Sequence, residues 1–298
     1  MPAPTQLLVP PTFEGRPLPH PDEPVFDQGL AFDVETLLSR RSLLRAMGYG
    51  AVGAGLFSLV GCGPAISSAT PGAAAGSAAT SGTGTADCTT AIPEETAGPF
   101  PGDGTNGPDV LSQSGVVRAD IRSSFGSSTT VATGVSLTIR LAILDLAKSC
   151  APIDGAAVYL WHCDQAGRYS LYSQGALNEN YLRGVQAAGA DGIVTFTSIF
   201  PACYSGRWPH IHFEIYPSIG AATDTGNKIA TSQIALPEDI CNQVYATSGY
   251  EQSVQNLAGV SLARDNVFGD DSGVHELGAI SGAISSGLTV DVSVPVRA

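Results

Sequence analysis

The chain has 298 residues, 43% of them hydrophobic and 14% charged, with 35 glycines and 20 prolines, a composition that suits a globular, loop-rich β protein better than a helical bundle. Acidic residues outnumber basic ones 27 to 14, for a formal net charge of -13. So acidic a surface repels phosphate backbones and gives no attraction to anionic lipid, which argues against nucleic acid as a partner.

Residues 1–38 are rich in proline and polar groups, show no sustained periodicity and read as a disordered leader. Ser39-Arg40-Arg41-Ser42-Leu43-Leu44-Arg45 follows, then an apolar stretch from Ala46 to Val60. That stretch is 15 residues long, short for a bilayer span and typical of the apolar region of an export signal. Two consecutive arginines just before it resemble a twin-arginine signal. Leu59-Val60-Gly61-Cys62 resembles a bacterial lipobox, in which Cys62 becomes the lipidated N-terminus. The competing readings are a short buried helix and a buried structural cysteine. Residues 63–87 are Gly, Ala, Ser and Thr almost throughout and read as a flexible tether. The expectation for 39–62 is therefore a twin-arginine-like signal with a lipobox. It makes the chain a lipoprotein on the periplasmic or extracellular face, touching the membrane only through its anchor. Such a route carries proteins that have already folded, which would suit one that loads a metal in the cytoplasm.

From residue 88 to 298 the pattern is that of one all-β domain. Val135, Leu137, Ile139, Leu141 and Ile143 alternate with polar residues, as on a half-buried strand. Val158 and Leu160, the β-branched run Ile193–Ile199, Ile211 with Phe213 and Ile215, and Leu288 with Val290, Val292 and Val294 repeat that signature. Pro152-Ile153-Asp154-Gly155, Ala190-Asp191-Gly192 and Phe200-Pro201 supply turns between them. One short helix is expected over Glu238–Ala246, after Pro237. Short strands with Gly/Pro turns predict a β-sandwich or barrel with long loops, and about 200 residues can bury a self-sufficient core.

The segment Tyr204-Ser205-Gly206-Arg207-Trp208-Pro209-His210-Ile211-His212-Phe213 is the most informative for chemistry. On a strand, residues i and i+2 point the same way, so His210 and His212 present two imidazoles together while Ile211 and Phe213 face a core. Alone, the pair fits zinc, copper or iron, and equally two surface histidines. Of the five histidines, His20 falls in the leader, His275 in a Gly/Asp-rich loop, and His162 in a strand-like run where a packed, hydrogen-bonded role is expected. The six cysteines form no Cys-x-x-Cys pair, and no carboxylate stands at an obvious ligand spacing from the histidines. Tyrosines remain, and phenolate is a hard, strongly donating ligand that suits ferric iron.

The ordered series Thr96-Ala97-Gly98-Pro99-Phe100, Arg118-Ala119-Asp120-Ile121, Cys150-Ala151-Pro152, Val158-Tyr159-Leu160-Trp161-His162-Cys163-Asp164, Gly167-Arg168-Tyr169-Ser170, Leu182-Arg183-Gly184-Val185-Gln186 and Tyr204 through Phe213 resembles the intradiol ring-cleavage dioxygenases. The likeness is greatest to the catalytic domain of protocatechuate 3,4-dioxygenase and its exported relatives. It implies a mixed-sheet β-sandwich, an Fe(3+) cofactor, and a catecholic small-molecule substrate that is opened with O2 to a cis,cis-muconate-type dicarboxylate. It also implies metal ligation by Tyr169, Tyr204, His210 and His212, with Tyr204 matching the tyrosine that leaves the iron when substrate arrives. Arg207 matches the family's active-site arginine, and Gln233, in Ser232-Gln233, matches a pocket glutamine that precedes a strand. Trp161 is expected to be core rather than a substrate platform.

Some features depart from the pattern. Residues 1–87 cannot supply the helical N-terminal dimerisation region of catechol 1,2-dioxygenases, which disfavours that subclass; a homo-oligomer remains open. The turn before Tyr204 reads Phe200-Pro201-Ala202-Cys203, where relatives often have Pro-Gly, and in an exported compartment Cys203 is a candidate for a disulfide whose partner the sequence leaves open. The Tyr204-to-His210 spacing is short compared with two-subunit protocatechuate enzymes. Two other readings compete: a non-catalytic, lipid-anchored binding module that keeps the metal site for stability, and a zinc or copper enzyme using His210, His212 and His162.

Overall fold

The computed structural model describes residues 88–298 and, before them, only the backbone of a short antiparallel pair, β1 (Thr12–Phe13) with β2 (Arg16–Pro17). The rest of the leader, the twin-arginine-like segment with the lipidation candidate Cys62, and the 63–87 tether lie outside the described residues.

The alternating run after Val135 forms β3 (Ser136–Asp145), with Leu137, Ile139, Leu141 and Ile143 fully buried on one face. One edge of β3 pairs in parallel with the C-terminal β11 (Gly287–Val296). The other pairs antiparallel with β7 (Ile193–Ile199) and, at its end, with β4 (Ala151–Pro152). β10 (Ala279–Ala283) closes this mixed sheet on the outer side of β11. The second sheet is antiparallel throughout. Its order is β6 (Arg183–Ala187), β5 (Ala157–Trp161), β8 (His210–Tyr216) and β9 (Ala230–Ala235).

Between the sheets lies one apolar core. Leu137, Ile139, Phe196, Val290 and Val294 come from the mixed sheet, and Val158, Leu160, Ile211, Phe213 and Ile215 from the antiparallel one. Each such side chain contributes about 1.5–3 kcal/mol by leaving water. The fold is therefore the expected all-β sandwich, with one sheet mixed and the other antiparallel. The antiparallel sheet is covered on its second face too, where Tyr159, Trp161, Val185 and Tyr216 pack against Phe100, Val110, Val116 and Tyr169. Residues 97–116 and the loop over 162–182 make that cover. Every residue of β8 is consequently buried, and the polar face of this strand sits in a closed space rather than in solvent.

The expected helix is present as α1 (Glu238–Tyr245), with Glu238 and Asp239 in its first turn, where carboxylates favour the helix dipole. A second helix, α2 (Glu251–Ala258), was not anticipated. It buries only Ser253 and Leu257 and exposes Val254, so it carries no apolar stripe to read. The expectation of a Cys203 disulfide is corrected. Cys88 and Cys150 are bonded, with Cα atoms 6.1 Å apart, while Cys163, Cys203 and Cys241 are free and buried. The Cys203 thiol lies instead against the Arg207 carbonyl at 3.5 Å.

Candidate metal centre

Alternation along β8 sends Ile211, Phe213 and Ile215 into the core and His210, His212, Glu214 and Tyr216 to the covered face. The Nε2 atoms of His210 and His212 are 3.1 Å apart. Tyr204 lies on the turn leading into β8, and its hydroxyl is 3.1 Å from His210 Nε2. Tyr169 comes from the loop after β5, and its hydroxyl is 3.3 Å from the same nitrogen. The four expected ligands thus meet at one point.

Each is held there by its own surroundings. His210 Nδ1 lies 2.5 Å from the Trp208 carbonyl, which leaves Nε2 facing the cluster. The His212 ring lies parallel to the Trp161 indole. The backbone at Gly98 has φ +69° and comes so close that a Cβ there would stand 3.2 Å from His212 Cε1. The Tyr169 loop is organised by Asp164. Its carboxylate accepts from the backbone amides of Ala166 and Arg168, from Arg168 Nε and from the Tyr181 hydroxyl. Gly167, with φ +81°, lets this loop pass beside Tyr204. Arg183, buried in β6, donates to the Ser170 hydroxyl and carbonyl, to Pro101 O and to the Tyr159 hydroxyl. It ties the residue next to Tyr169 to the segment covering the site.

Arg207 is nearly enclosed beside the cluster. Its Nε donates to Asp265 at 3.0 Å and its Nη2 to Gln233 Oε1 at 2.8 Å. Gln233 stands opposite His212 on β9, within the strand rather than before it, and its amide donates to the Thr96 carbonyl at 2.9 Å. Sequence reasoning missed Asp265, which lies in an irregular segment with no local pattern to mark it. It also gave no role to Gly98, although its motif was recognised, and placed Trp161 only in a core, where it backs a candidate ligand.

The surroundings keep the imidazoles neutral. Burial, then the Arg207 charge, lowers His210 to about 3. Burial, then His210 and Arg207, holds His212 well below the ordinary imidazole value. Both therefore offer lone pairs at neutral pH. Burial, then the neighbouring Tyr204, raises the Tyr169 phenol well above its usual value. Burial raises Tyr204 to about 12, with Arg207 opposing. Two neutral imidazoles and two phenols that need a strong cation to ionise form a donor set fitted to a hard trivalent ion. Among the described residues no group of three or more His, Cys, Asp or Glu side chains is arranged to hold a metal. The zinc or copper reading, which needs His162 as a third ligand, is corrected by direct geometry. Both His162 ring nitrogens are engaged, with the Cys163 carbonyl and the Ser198 hydroxyl at 2.7 Å each, which is the packed role expected of it.

Two histidines from one strand and two tyrosines from adjoining loops therefore converge on one enclosed face of the sandwich. Residues 107–239 match a family model described as "Dioxygenase". An intradiol ring-cleavage dioxygenase from Tetranychus urticae is 25% identical and superposes with a TM-score of 0.54, covering 70% of this chain and 94% of that one. A second crystal structure described as a dioxygenase is also 25% identical, with a TM-score of 0.55 and the same coverage. No curated protein matches by sequence. Sequence model and fold agree with the resemblance the motifs carry: the fold is of the intradiol ring-cleavage dioxygenase type.

Proposed function

We propose that the chain is a non-haem Fe(III) intradiol dioxygenase that cleaves a catechol-type aromatic with O2 to a cis,cis-muconate-type dicarboxylate. The observation that carries the reading is the meeting of Tyr169, Tyr204 and His212 within 3.3 Å of His210 Nε2. When bound, ferric iron would supply a Lewis-acid template that draws electron density from a catecholate. Tyr169, His210 and His212 would hold the ion. Tyr204, as a phenolate, would accept a proton at its hydroxyl oxygen from a catechol hydroxyl. Arg207 would stabilise negative charge growing on the ring, with Gln233 fixing its orientation. The cover laid over Trp161 and His212 by residues 96–101 and the 162–182 loop would keep bulk water from the reacting atoms.

Oxygen uptake with a panel of substituted catechols, product mass and iron analysis test the reading together. The expected result is uptake with both oxygen atoms in the product, and loss of metal or turnover in Tyr204→Phe and His212→Ala. Unchanged turnover in both variants overturns the ligand assignment. Retained iron with no uptake across the panel leaves a lipid-anchored binding module. We infer also that residues 39–62 direct export and that Cys62 carries the anchor; release of Cys62→Ser from the membrane fraction is the expected outcome.

A further inference from the structure

Asp265 lies outside the stretch matched by the family model and 58 residues from Arg207 in sequence. Its side chain is fully buried, and Arg207 is 15% exposed. One carboxylate oxygen, Oδ2, accepts from Arg207 Nε at 3.0 Å and from the Trp208 amide at 2.7 Å. The other, Oδ1, accepts from the amides of Val267 at 2.9 Å and Phe268 at 3.2 Å. The Phe268 ring lies under the guanidinium, 5.9 Å from its carbon. Asp265 therefore joins a loop near the C-terminus to two consecutive residues of the segment that delivers the candidate ligands. Trp208 in turn orients His210 through its carbonyl.

We propose that Asp265 is a positioning residue for Arg207, acting beside Gln233 and aiming the guanidinium at the reacting ring from a segment outside the family-matched stretch. Arg207's role at the ring rests on the proposed function; the geometry between the two side chains does not. Two physical consequences separate positioning from general support. A carboxylate can serve both pairs of donors, one on each oxygen, whereas an asparagine has one acceptor face and must turn its NH2 group towards either Arg207 and Trp208 or Val267 and Phe268. Asp265→Asn therefore breaks one side of the hub with almost no change of volume. The ion pair is also buried, so removing the acid alone strands a cation, while removing both charges does not.

The test compares full-length wild type, Asp265→Asn, Arg207→Met and the double variant. In 15N-labelled metal-free protein the Arg207 Nε–H of wild type is expected to exchange slowly with water, and to exchange much faster in Asp265→Asn. With catechol as the probe, Asp265→Asn is expected to lower kcat by at least about tenfold with iron content unchanged. The double variant should turn over no more slowly than Arg207→Met alone, because a residue acting through Arg207 has nothing left to position. An unchanged Arg207 exchange rate in Asp265→Asn, or kinetic losses that multiply in the double variant, overturns the proposal. Should Asp265→Asn fail to fold, recovery of folding in the double variant supports the pairing and failure to recover overturns it. If wild type consumes no oxygen with any catechol, the enzyme reading falls, and the exchange measurement still decides the role of Asp265.

Discussion

Trp161 and His212 face each other across neighbouring strands, and their rings stack 2° from parallel with centroids 4.9 Å apart. The indole is fully buried, and its Nε1 has no hydrogen-bond partner among the described residues. A buried indole with an unmade hydrogen bond is costly, so packing against the imidazole is what the position supplies. Trp161→Phe should keep most of that contact and most of the bound iron. Trp161→Ala should cost about 3–5 kcal/mol in stability and let the His212 ring tilt, lowering iron content further than the melt alone suggests. Thermal melts of metal-free protein beside iron analysis separate the two effects.

Gly98 comes up against the Cε1 atom of the same ring. Its φ of +69° and the 3.2 Å approach of a built Cβ to His212 Cε1 together forbid a side chain without movement. Gly98→Ala should cost roughly 1–2 kcal/mol for the left-handed backbone and should also displace His212. Gly107→Ala is the control, because its φ of +94° carries a similar backbone cost with nothing within 4 Å of the new methyl. The expected pattern is comparable destabilisation in both and reduced iron retention only in Gly98→Ala, read by melting temperature and by metal analysis after chelator challenge.

The contrast between these residues shows what a sequence makes visible. The strands β3, β8 and β11 announce themselves because alternation is local and their buried faces are apolar. His210 and His212 are legible as a pair for the same reason, since two residues on one strand share a face without help from the rest of the fold. Their convergence with Tyr169 and Tyr204 is not local. It depends on the loop that Asp164 organises and on the turn into β8, and only the family's motif spacing carried it. Asp265 is set by a contact 58 residues away, and nothing around it differs from an ordinary solvated loop. The helix α2 was invisible because it buries so little, yet its Ser253 and Asn256 bond the backbone of Cys203, just before Tyr204.

The bond between Cys88 and Cys150 ties down the chain that leads into the segment covering the site. The two cysteines are 62 residues apart in sequence, and closing a loop of that size restrains the unfolded chain by about 4 kcal/mol in the entropic model. Beyond the bond, the segment is fastened by Ile92 N to Pro295 O at 2.8 Å, Glu95 N to Thr231 O at 2.7 Å and Gln233 Nε2 to Thr96 O at 2.9 Å. Replacing both cysteines with serine should therefore lower stability by about 2–4 kcal/mol while leaving the cover in place at moderate temperature. Denaturant melts should show a lower midpoint, and hydrogen exchange should show the earliest loss of protection at the Ile92 amide.

Glu276 gives the protein a pH dependence of its own. The residue is 1% exposed, its Oε1 has no hydrogen-bond partner among the described residues, and its backbone carbonyl caps the end of β9 by accepting from Ala235. Burial, reinforced by the carboxylates of Glu95, Asp271, Asp270 and Asp265, raises its pKa from 4.5 to about 8. Between those values the folded chain holds a proton there that the unfolded chain has lost, so the unfolding free energy falls as pH rises. This contribution is fully present below about pH 4.5, is lost progressively up to about pH 8, and changes little beyond. Glu276→Gln keeps the shape and removes the titration. It should match wild type near the acid end of that window and exceed it in stability at its alkaline end. Urea midpoints measured across the window check this, and parallel curves for the two proteins would show that Glu276 ionises freely in the folded state.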